Sequence, residues 1–219
     1  MKISKRLRAI GDLVSDNSFI LDVGCDHAFL DIYVVLNKTG VCAIASDINE
    51  GPLNGALENV LSYGVSDKVK VVLGDGLSSY EEGVDTIVLS GLGSTTIVDI
   101  LRARLDVLDS VSKLIISSNN DYYFLRKSIC DLGFKISNEI IIEERGKFYP
   151  IIVFEKGKGK YNKFELSYGP VLLANKSDTF IKYLDFNKRK LLNIYNSLGV
   201  KYLFRKISIK REIKFIDRV

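Results

Sequence analysis

The apolar run Phe19–Val23 (FILDV) closes on Gly24, and residues 25–30 (CDHAFL) lead into a helix-compatible segment. An apolar run of strand length that ends in an acid and a glycine, with a helical segment behind it, reads as strand, tight turn, helix. In an open α/β sheet, ligands sit beyond the carboxyl ends of the strands, near the point where strand order reverses. Gly24 lets a ligand approach the backbone there, because it has no Cβ.

The same alternation continues along the chain. Strands are expected at 18–23, 41–46, 68–73, 86–89 and 113–117, and helices at 28–37, 50–63, 95–108 and 122–132. Before them, Ile3, Leu7, Ile10 and Val14 recur at helical spacing beside Lys2, Lys5, Arg6 and Arg8, which predicts an amphipathic opening helix with a basic face. Parallel neighbours need crossover connections, so this pattern predicts a mainly parallel sheet with helices on both faces. The rhythm then changes: 134–143 and 148–156 are strand-like runs joined by Glu144–Lys147 with no helix between them, an antiparallel hairpin at one sheet edge. The expected class is α/β, a seven-stranded Rossmann-like sheet of the class I methyltransferase type, whose reversed last strand separates it from a nicotinamide-binding sheet.

Residues 157–160 (GKGK) read as a linker between the sheet domain at 1–157 and a basic helical domain at 158–219. In the latter, Phe180, Leu184, Leu191, Tyr195 and Leu198 keep helical spacing, Gly199 turns the chain, and Leu203, Ile207, Ile213 and Ile216 resume the pattern, predicting a coiled-coil-like αα-hairpin. Charge divides the same way. Residues 1–157 carry 16 Lys/Arg against 22 Asp/Glu, and residues 158–219 carry 15 against 5. Such asymmetry argues for a polyanion facing the tail, a solvated basic hairpin being the plain alternative.

Cys25, Cys42 and Cys130 form no Cys-x-x-Cys pair, so neither a disulfide framework nor a zinc site is indicated, and no metal is expected. With no apolar core of signal-peptide length and no run of about 20 apolar residues, the chain is expected to be soluble and cytoplasmic, without a membrane partner.

The ligand follows from the strand ends. Asp22 and Gly24 close the first strand, but Cys25, Asp26 and His27 do not continue a Gly-x-Gly-x-x-Gly loop, and Asp26 would repel a pyrophosphate. S-adenosylmethionine carries no phosphate and its ammonium and sulfonium groups are cationic, so carboxylates beside it are tolerated or helpful. Asp47 closes the second strand, where a carboxylate can accept from both ribose hydroxyls. Gly74, Asp75 and Gly76 close the third, where Ile48 and Leu77 are placed to sandwich an adenine. Helix capping and turn formation are the ordinary alternative for each Asp. The fourth strand ends in Ser90, Gly91, Leu92 and Gly93, beside the expected transferable methyl, with no Asn/Asp-Pro-Pro-aromatic tetrapeptide to hold an exocyclic amine. A ring nitrogen presenting an in-plane lone pair fits that open floor, since positioning in line is most of what it needs. Asn119 follows the fifth strand and is placed to bond a base edge; Tyr149 is placed to stack on a flipped base. His27, the single histidine, is read as lining the site, packing or capping being its ordinary alternative.

These residues resemble the bacterial TrmK family at residues 4–7 (SKRL), 22–30 (DVGCDHAFL), 74–77 (GDGL), 91–93 (GLG), 132–134 (LGF), 148–153 (FYPIIV) and 168–173 (YGPVLL). The resemblance runs nearly the full length. It implies S-adenosylmethionine-dependent methylation of N1 of the adenine at position 22 of tRNA, cofactor contacts at Gly24, Asp26, His27, Asp47, Ile48, Asp75, Gly76 and Leu77, and a C-terminal helical domain. The family usually has Pro where Asp31 stands, a second glycine at Ser94, and Gln-Pro-Asn at Ser117–Asn119. The full expected site is Asp26, Gly91 and Asn119 for catalysis, with Asp22, Cys25, Gly74 and Ser90 joining the cofactor contacts. RNA is expected at Lys5, Arg6, Arg8, Tyr149, Lys188, Arg189, Arg205 and Lys206. A monomer that takes tRNA and not DNA is expected; methylation at another RNA site and a non-catalytic RNA-binding module are the alternatives.

Overall fold

Strands β1 (Phe19–Val23), β2 (Cys42–Asp47), β3 (Val69–Leu73), β4 (Thr86–Ser90) and β5 (Lys113–Ser117) run parallel. Strand β7 (Lys147–Lys156) lies antiparallel between β5 and β6 (Phe134–Glu144), giving the order β3-β2-β1-β4-β5-β7-β6. This is the seven-stranded Rossmann-like sheet expected from the sequence. The computed structural model describes residue 1 and residues 3–219, so Lys2 of the opening helix's basic face lies outside the described residues.

The central strands β1, β4 and β5 are largely apolar because both faces are covered. Ile20, Ala43, Ala45, Val88 and Ile115 pack toward α1 (Lys5–Asp12), α2 (Phe29–Asn37) and α3 (Glu50–Ser62). Their neighbours Leu21, Ile44, Ile87, Leu89 and Leu114 pack toward α4 (Ser94–Arg102), α5 (Leu105–Ser110) and α6 (Tyr122–Asp131). The β6–β7 hairpin turns at Arg145 (φ 51°) and Gly146 (φ 73°), flanked by the pair Glu144 and Lys147. Two successive positive φ values give the tight turn whose twist suits a two-residue hairpin.

The helix expected over 95–108 is two helices. Arg104 breaks it at φ −138°, ψ 65°, its guanidinium held by Asp106 at 2.7 and 2.9 Å. Leu101, Val107 and Leu108 are buried on both sides of the break, so the apolar period passes through it unmarked.

Contacts divide the chain into Met1–Val171 and Leu172–Val219, later than the linker at 157–160 would place the division. The reason is a buried pair. Arg126 donates from Nε to Glu139 Oε1 at 2.7 Å, and from Nη1 to the carbonyls of Leu166 and Ser167 in α7 (Lys163–Tyr168) and to no solvent, its side chain being 1% exposed. Glu139 Oε2 accepts the Val171 amide at 3.0 Å. A short helix α8 (Pro170–Asn175) follows, then α9 (Asp178–Ser197) and α10 (Leu203–Ile216), which pack together as the expected hairpin. The two short helices were not expected from periodicity, since six residues each are too few to display it.

Removing one partner of a buried, fully bonded pair strands the other charge. Arg126→Ala should therefore lower stability by about 3–5 kcal/mol in urea unfolding, and Arg126→Met with Glu139→Leu should recover most of that loss.

Candidate functional site

A cavity of about 520 Å3 opens at the carboxyl ends of β1 to β4. Its floor is the β1–α2 turn. Gly24 takes φ +80°, and the amides of Gly24 and Cys25 both donate to the Ser46 carbonyl at 2.8 and 3.0 Å, tying the turn to β2. Asp26 (φ 54°) and Ala28 (φ 56°) are also left-handed. Such backbone costs energy outside glycine and is held here only by its surroundings.

Asp47 organises the second strand end. Its Oδ2 accepts the Asp26 amide at 3.3 Å, its Oδ1 accepts the Asn49 amide at 2.9 Å, and its carbonyl accepts the Gly74 amide at 3.0 Å. Oδ1 also accepts from Asn49 Nδ2 at 3.3 Å, so the acceptor capacity left free is on Oδ2, each oxygen offering about two lone-pair sites. Gly74 is confined: a Cβ there would lie 2.0 Å from Ser79 Oγ, which is itself bonded to Ser46 Oγ at 2.7 Å. Helices α2, α3 and α4 all begin at this edge, and the N-cap residues of α2 and α3 make no side-chain cap bond, whereas the first amide of α4, Ser94, is taken by Asn120. Their first amides and positive dipole ends therefore face the cavity region.

The β4 wall is built by a clamp. Asn119 donates from Nδ2 to the Gly91 carbonyl, its own amide donates to the Leu92 carbonyl at 2.9 Å, and Asn120 Oδ1 accepts the Ser94 amide at 2.9 Å. Arg6 of α1 reaches this wall: its Nη1 would lie 3.6 Å from a Cβ on Gly91, and its guanidinium stands over the Tyr149 ring at 5.2 Å.

The cavity brings together Arg6, Asp22, Gly24, Cys25, Asp26, His27, Asp47, Ile48, Gly74, Asp75, Gly76, Ser90 and Gly91 from the sequence reading. Leu77 does not line it; it is 2% exposed and packs in the core with Leu21 and Ile44. Beside Gly76 the apolar lining is Ile100 of α4, whose Cγ2 would lie 3.2 Å from a Cβ on Gly76. Asn119 stands behind the wall and spends its amide nitrogen on Gly91, so it braces that turn. Leu92 lines the cavity within the Ser90–Gly93 turn where the sequence placed the acceptor, whereas Asn49 and Thr96 line it and were missed, since they carry no distinctive residue pattern. His27 rests against Gly55 of α3, where a Cβ would lie 2.5 Å from Nδ1, and its Nε2 is 3.6 Å from Asp26 Oδ1.

The expected RNA-facing cations differ in their partners. Lys5 and Arg8 are exposed on α1, the Lys5 amide being bound by Glu144 at 2.9 Å. In the second unit Lys188 pairs with Asp217 at 2.5 Å and Arg189 with Asp185, whereas Lys206 stacks on Tyr195 at 5.0 Å and Arg205 is exposed. Among the described residues no group of acids, His and Cys could hold a metal, and no helix is long and apolar enough to cross a membrane.

The strongest electrostatic feature lies beneath the cavity. Asp22 shares the strand face of Ile20, which α2 covers, and there it meets Asp31 of α2, 0% exposed with neither carboxyl oxygen bonded to a donor. Burial first, and then the neighbouring carboxyl, push Asp31 well above the usual carboxylate range. Burial pushes Asp22 up to about 7, the bond with Asp31 and the charge of Arg6 pulling the other way and Asp47 adding to the rise. A proton shared between the two satisfies both. Burial, with Asp31, Asp22 and Asp47 close by, pushes the Cys25 thiol far up, so it is no nucleophile.

The sequence profile described as "TrmK: tRNA (adenine(22)-N(1))-methyltransferase" matches residues 20–218. The chain belongs to the TrmK family. A Bacillus subtilis tRNA (adenine(22)-N(1))-methyltransferase is 32% identical over 206 residues, 91% of this chain and 87% of the relative. Streptococcus pneumoniae Sp1610 superposes with a TM-score of 0.93 at 35% identity over 99% of each chain, and it has also been solved with S-adenosyl-L-methionine. Mycoplasma capricolum TrmK in complex with S-adenosyl-homocysteine gives a TM-score of 0.86 at 32% identity over 99% of each chain.

A carboxyl whose pKa is higher folded than unfolded gives stability that is full below its ordinary value of 3.8 and is lost as pH rises through about 7. The urea midpoint should therefore fall between pH 5 and 8. Asp31→Asn should flatten that fall and exceed the unsubstituted protein at pH 8 by on the order of 1–3 kcal/mol; an equally steep fall in the variant would overturn the shared-proton assignment.

Proposed function

We propose that this chain transfers a methyl group from S-adenosylmethionine to N1 of the adenine at position 22 of tRNA, the activity that its family's description carries. The observation that carries the reading is the charged lining of the cavity: Asp22, Asp26, Asp47 and Asp75 from three adjacent strand ends, against Arg6 as the one lining Lys or Arg among the described residues. That set repels a pyrophosphate and suits a cationic ligand. The conformation of Gly24 and the free acceptor capacity of Asp47 suit a nucleoside laid across the strand ends.

When bound, S-adenosylmethionine supplies an electrophilic methyl group on a cationic sulfur. Asp47 accepts from ribose hydroxyls, while Ile48, 61% exposed on the rim, and Ile100 against Gly76 offer apolar faces to a purine. Near a cation, the Asp22–Asp31 pair gives up its shared proton more readily, because an opposite charge favours the ionised form.

On the acceptor side, Ser90 and Gly91 form a bare floor that Asn119 keeps rigid, and rigidity matters because in-line approach is most of what a ring nitrogen needs. Tyr149 presents a ring for the extruded base, and Arg6 stacked on it supplies a cation for the flanking phosphate. Lys5, Arg8, Arg205 and Lys206 dock RNA backbone, an interaction that salt weakens. Lys188 and Arg189 contribute only by exchanging their present carboxylates for phosphate. Asp26, its side chain 74% exposed, stabilises the positive charge that develops on the methylated base, and does so more strongly once RNA excludes water from the rim. We place the enzyme in the cytoplasm as a monomer, with Met1–Val171 as the cofactor unit and Leu172–Val219 as the docking unit.

Labelled methyl from S-adenosylmethionine should appear in bacterial tRNA as 1-methyladenosine and vanish when the adenine at position 22 is replaced. Label in another nucleoside would move the target elsewhere in RNA, and cofactor binding without transfer would favour a binding module. Asp26→Ala should lower turnover roughly 10- to 100-fold while tRNA binding holds; undiminished turnover would remove that role from Asp26.

A further inference from the structure

The most exposed large apolar side chain among the described residues is Phe204, at 90%; the next, Leu61, is 68% exposed. It stands at the tip of the basic hairpin, in the first turn of α10, with Leu203 (59% exposed) and Tyr202 (46%) beside it. Nothing in the hairpin's packing requires it. The inward line of α10 is marked by Ile209 and Ile216, both buried, and Phe204 lies five residues before Ile209, about 140° around the helix at 3.6 residues per turn. Tyr202, Leu203 and Phe204 together make a contiguous exposed apolar patch rimmed by cations, and such a patch points to a partner that covers it.

The surroundings state the partner's charge. Residues 199–211 contain Lys201, Arg205, Lys206, Lys210 and Arg211 and no Asp or Glu. Lys206 and Lys210 both stack on Tyr195, at 5.0 and 5.4 Å, and Lys201 stacks on Tyr202 at 5.2 Å, so these cations are held by rings and keep their charge for an incoming anion. A second copy of the tip would set five cations against five, which like charge opposes. A nucleotide with its base unpaired supplies both a π-face for one ring and a phosphate for the flanking cations, and base-on-aromatic stacking next to backbone contacts is how single-stranded RNA is held.

From this placement we infer that Phe204, flanked by Arg205 and Lys206, is a stacking platform for an unpaired base in a loop of the tRNA substrate. The tip thereby recognises a folded RNA by a loop base as well as by its backbone. This inference rests on the proposed action on tRNA and goes beyond it, because a docking domain that worked by charge alone has no use for an exposed phenylalanine.

The test compares the full chain with Phe204→Ala and Phe204→Trp in equilibrium binding of unmodified bacterial tRNA over a salt series. Unchanged thermal midpoints and unchanged S-adenosylmethionine binding serve as folding controls. Phe204→Ala should weaken tRNA binding roughly 5- to 100-fold with the salt slope unchanged, while Phe204→Trp keeps the affinity within about twofold. Arg205→Gln with Lys206→Gln should instead lower the slope by about one for each phosphate that is no longer neutralised. In methyl transfer, Phe204→Ala should raise KM for tRNA and leave kcat at saturating tRNA in place. Equal tRNA binding by Phe204→Ala and the unsubstituted chain overturns the platform while transfer by both leaves the proposed function standing. Loss on Phe204→Ala of binding to vesicles of anionic phospholipid, or of a dimer in sedimentation, with tRNA affinity intact, assigns the tip to a membrane surface or a second copy and overturns it too. An unsubstituted chain that neither binds nor methylates tRNA removes both readings together.

Discussion

Parallel pairing places the carboxyl ends of β1, β2, β3 and β4 on one edge of the sheet, and the site depends on that constraint before it depends on any single residue. Three consecutive strands each deliver an acid to the same edge, so Asp22, Asp47 and Asp75 gather from positions far apart in sequence. The crossover helices begin where the strands end. Three helix N-termini therefore face the same region, those of α2 and α3 without a side-chain cap, and offset part of the negative charge that the carboxylates bring.

Two buried carboxyl pairings in this fold follow opposite logic. Glu139 meets Arg126, and both side chains reach further backbone partners, so the pair holds α7 and Val171 to the sheet. Asp22 meets Asp31, like against like, both of them buried. That arrangement is costly on its own, and its position under the cavity makes the cost sensitive to a cation bound above it.

The two units carry different kinds of recognition. In Met1–Val171 the candidate site is concave, acidic and braced by backbone contacts, as at Asn119 and Asp47. In Leu172–Val219 the surface is basic, with 12 Lys/Arg against 4 Asp/Glu, and its cations divide between carboxylate partners and aromatic rings. A small cationic ligand suits the first and a polyanion suits the second, which is the pairing a nucleic-acid methyltransferase needs.

The amino-acid sequence by itself determined the order of strands and helices, the reversed β6–β7 hairpin and the acids at the strand ends, because apolar period and turn chemistry are local properties that the parallel sheet does not override. It also carried the motifs that resemble the TrmK family, which the profile match over residues 20–218 bears out. Only the tertiary structure decided which face each side chain took. Leu77 and Ile100 illustrate this: the turn over Gly76–Ser79 sends Leu77 into the core, and α4 brings Ile100 across to the cavity from a distant segment. The meeting of Asp22 with Asp31, the stacking of Arg6 on Tyr149 and the exposure of Phe204 were likewise illegible in the sequence. Each depends on how one element lies over another, or fails to, and contacts between segments distant in the chain leave no period in the residues themselves.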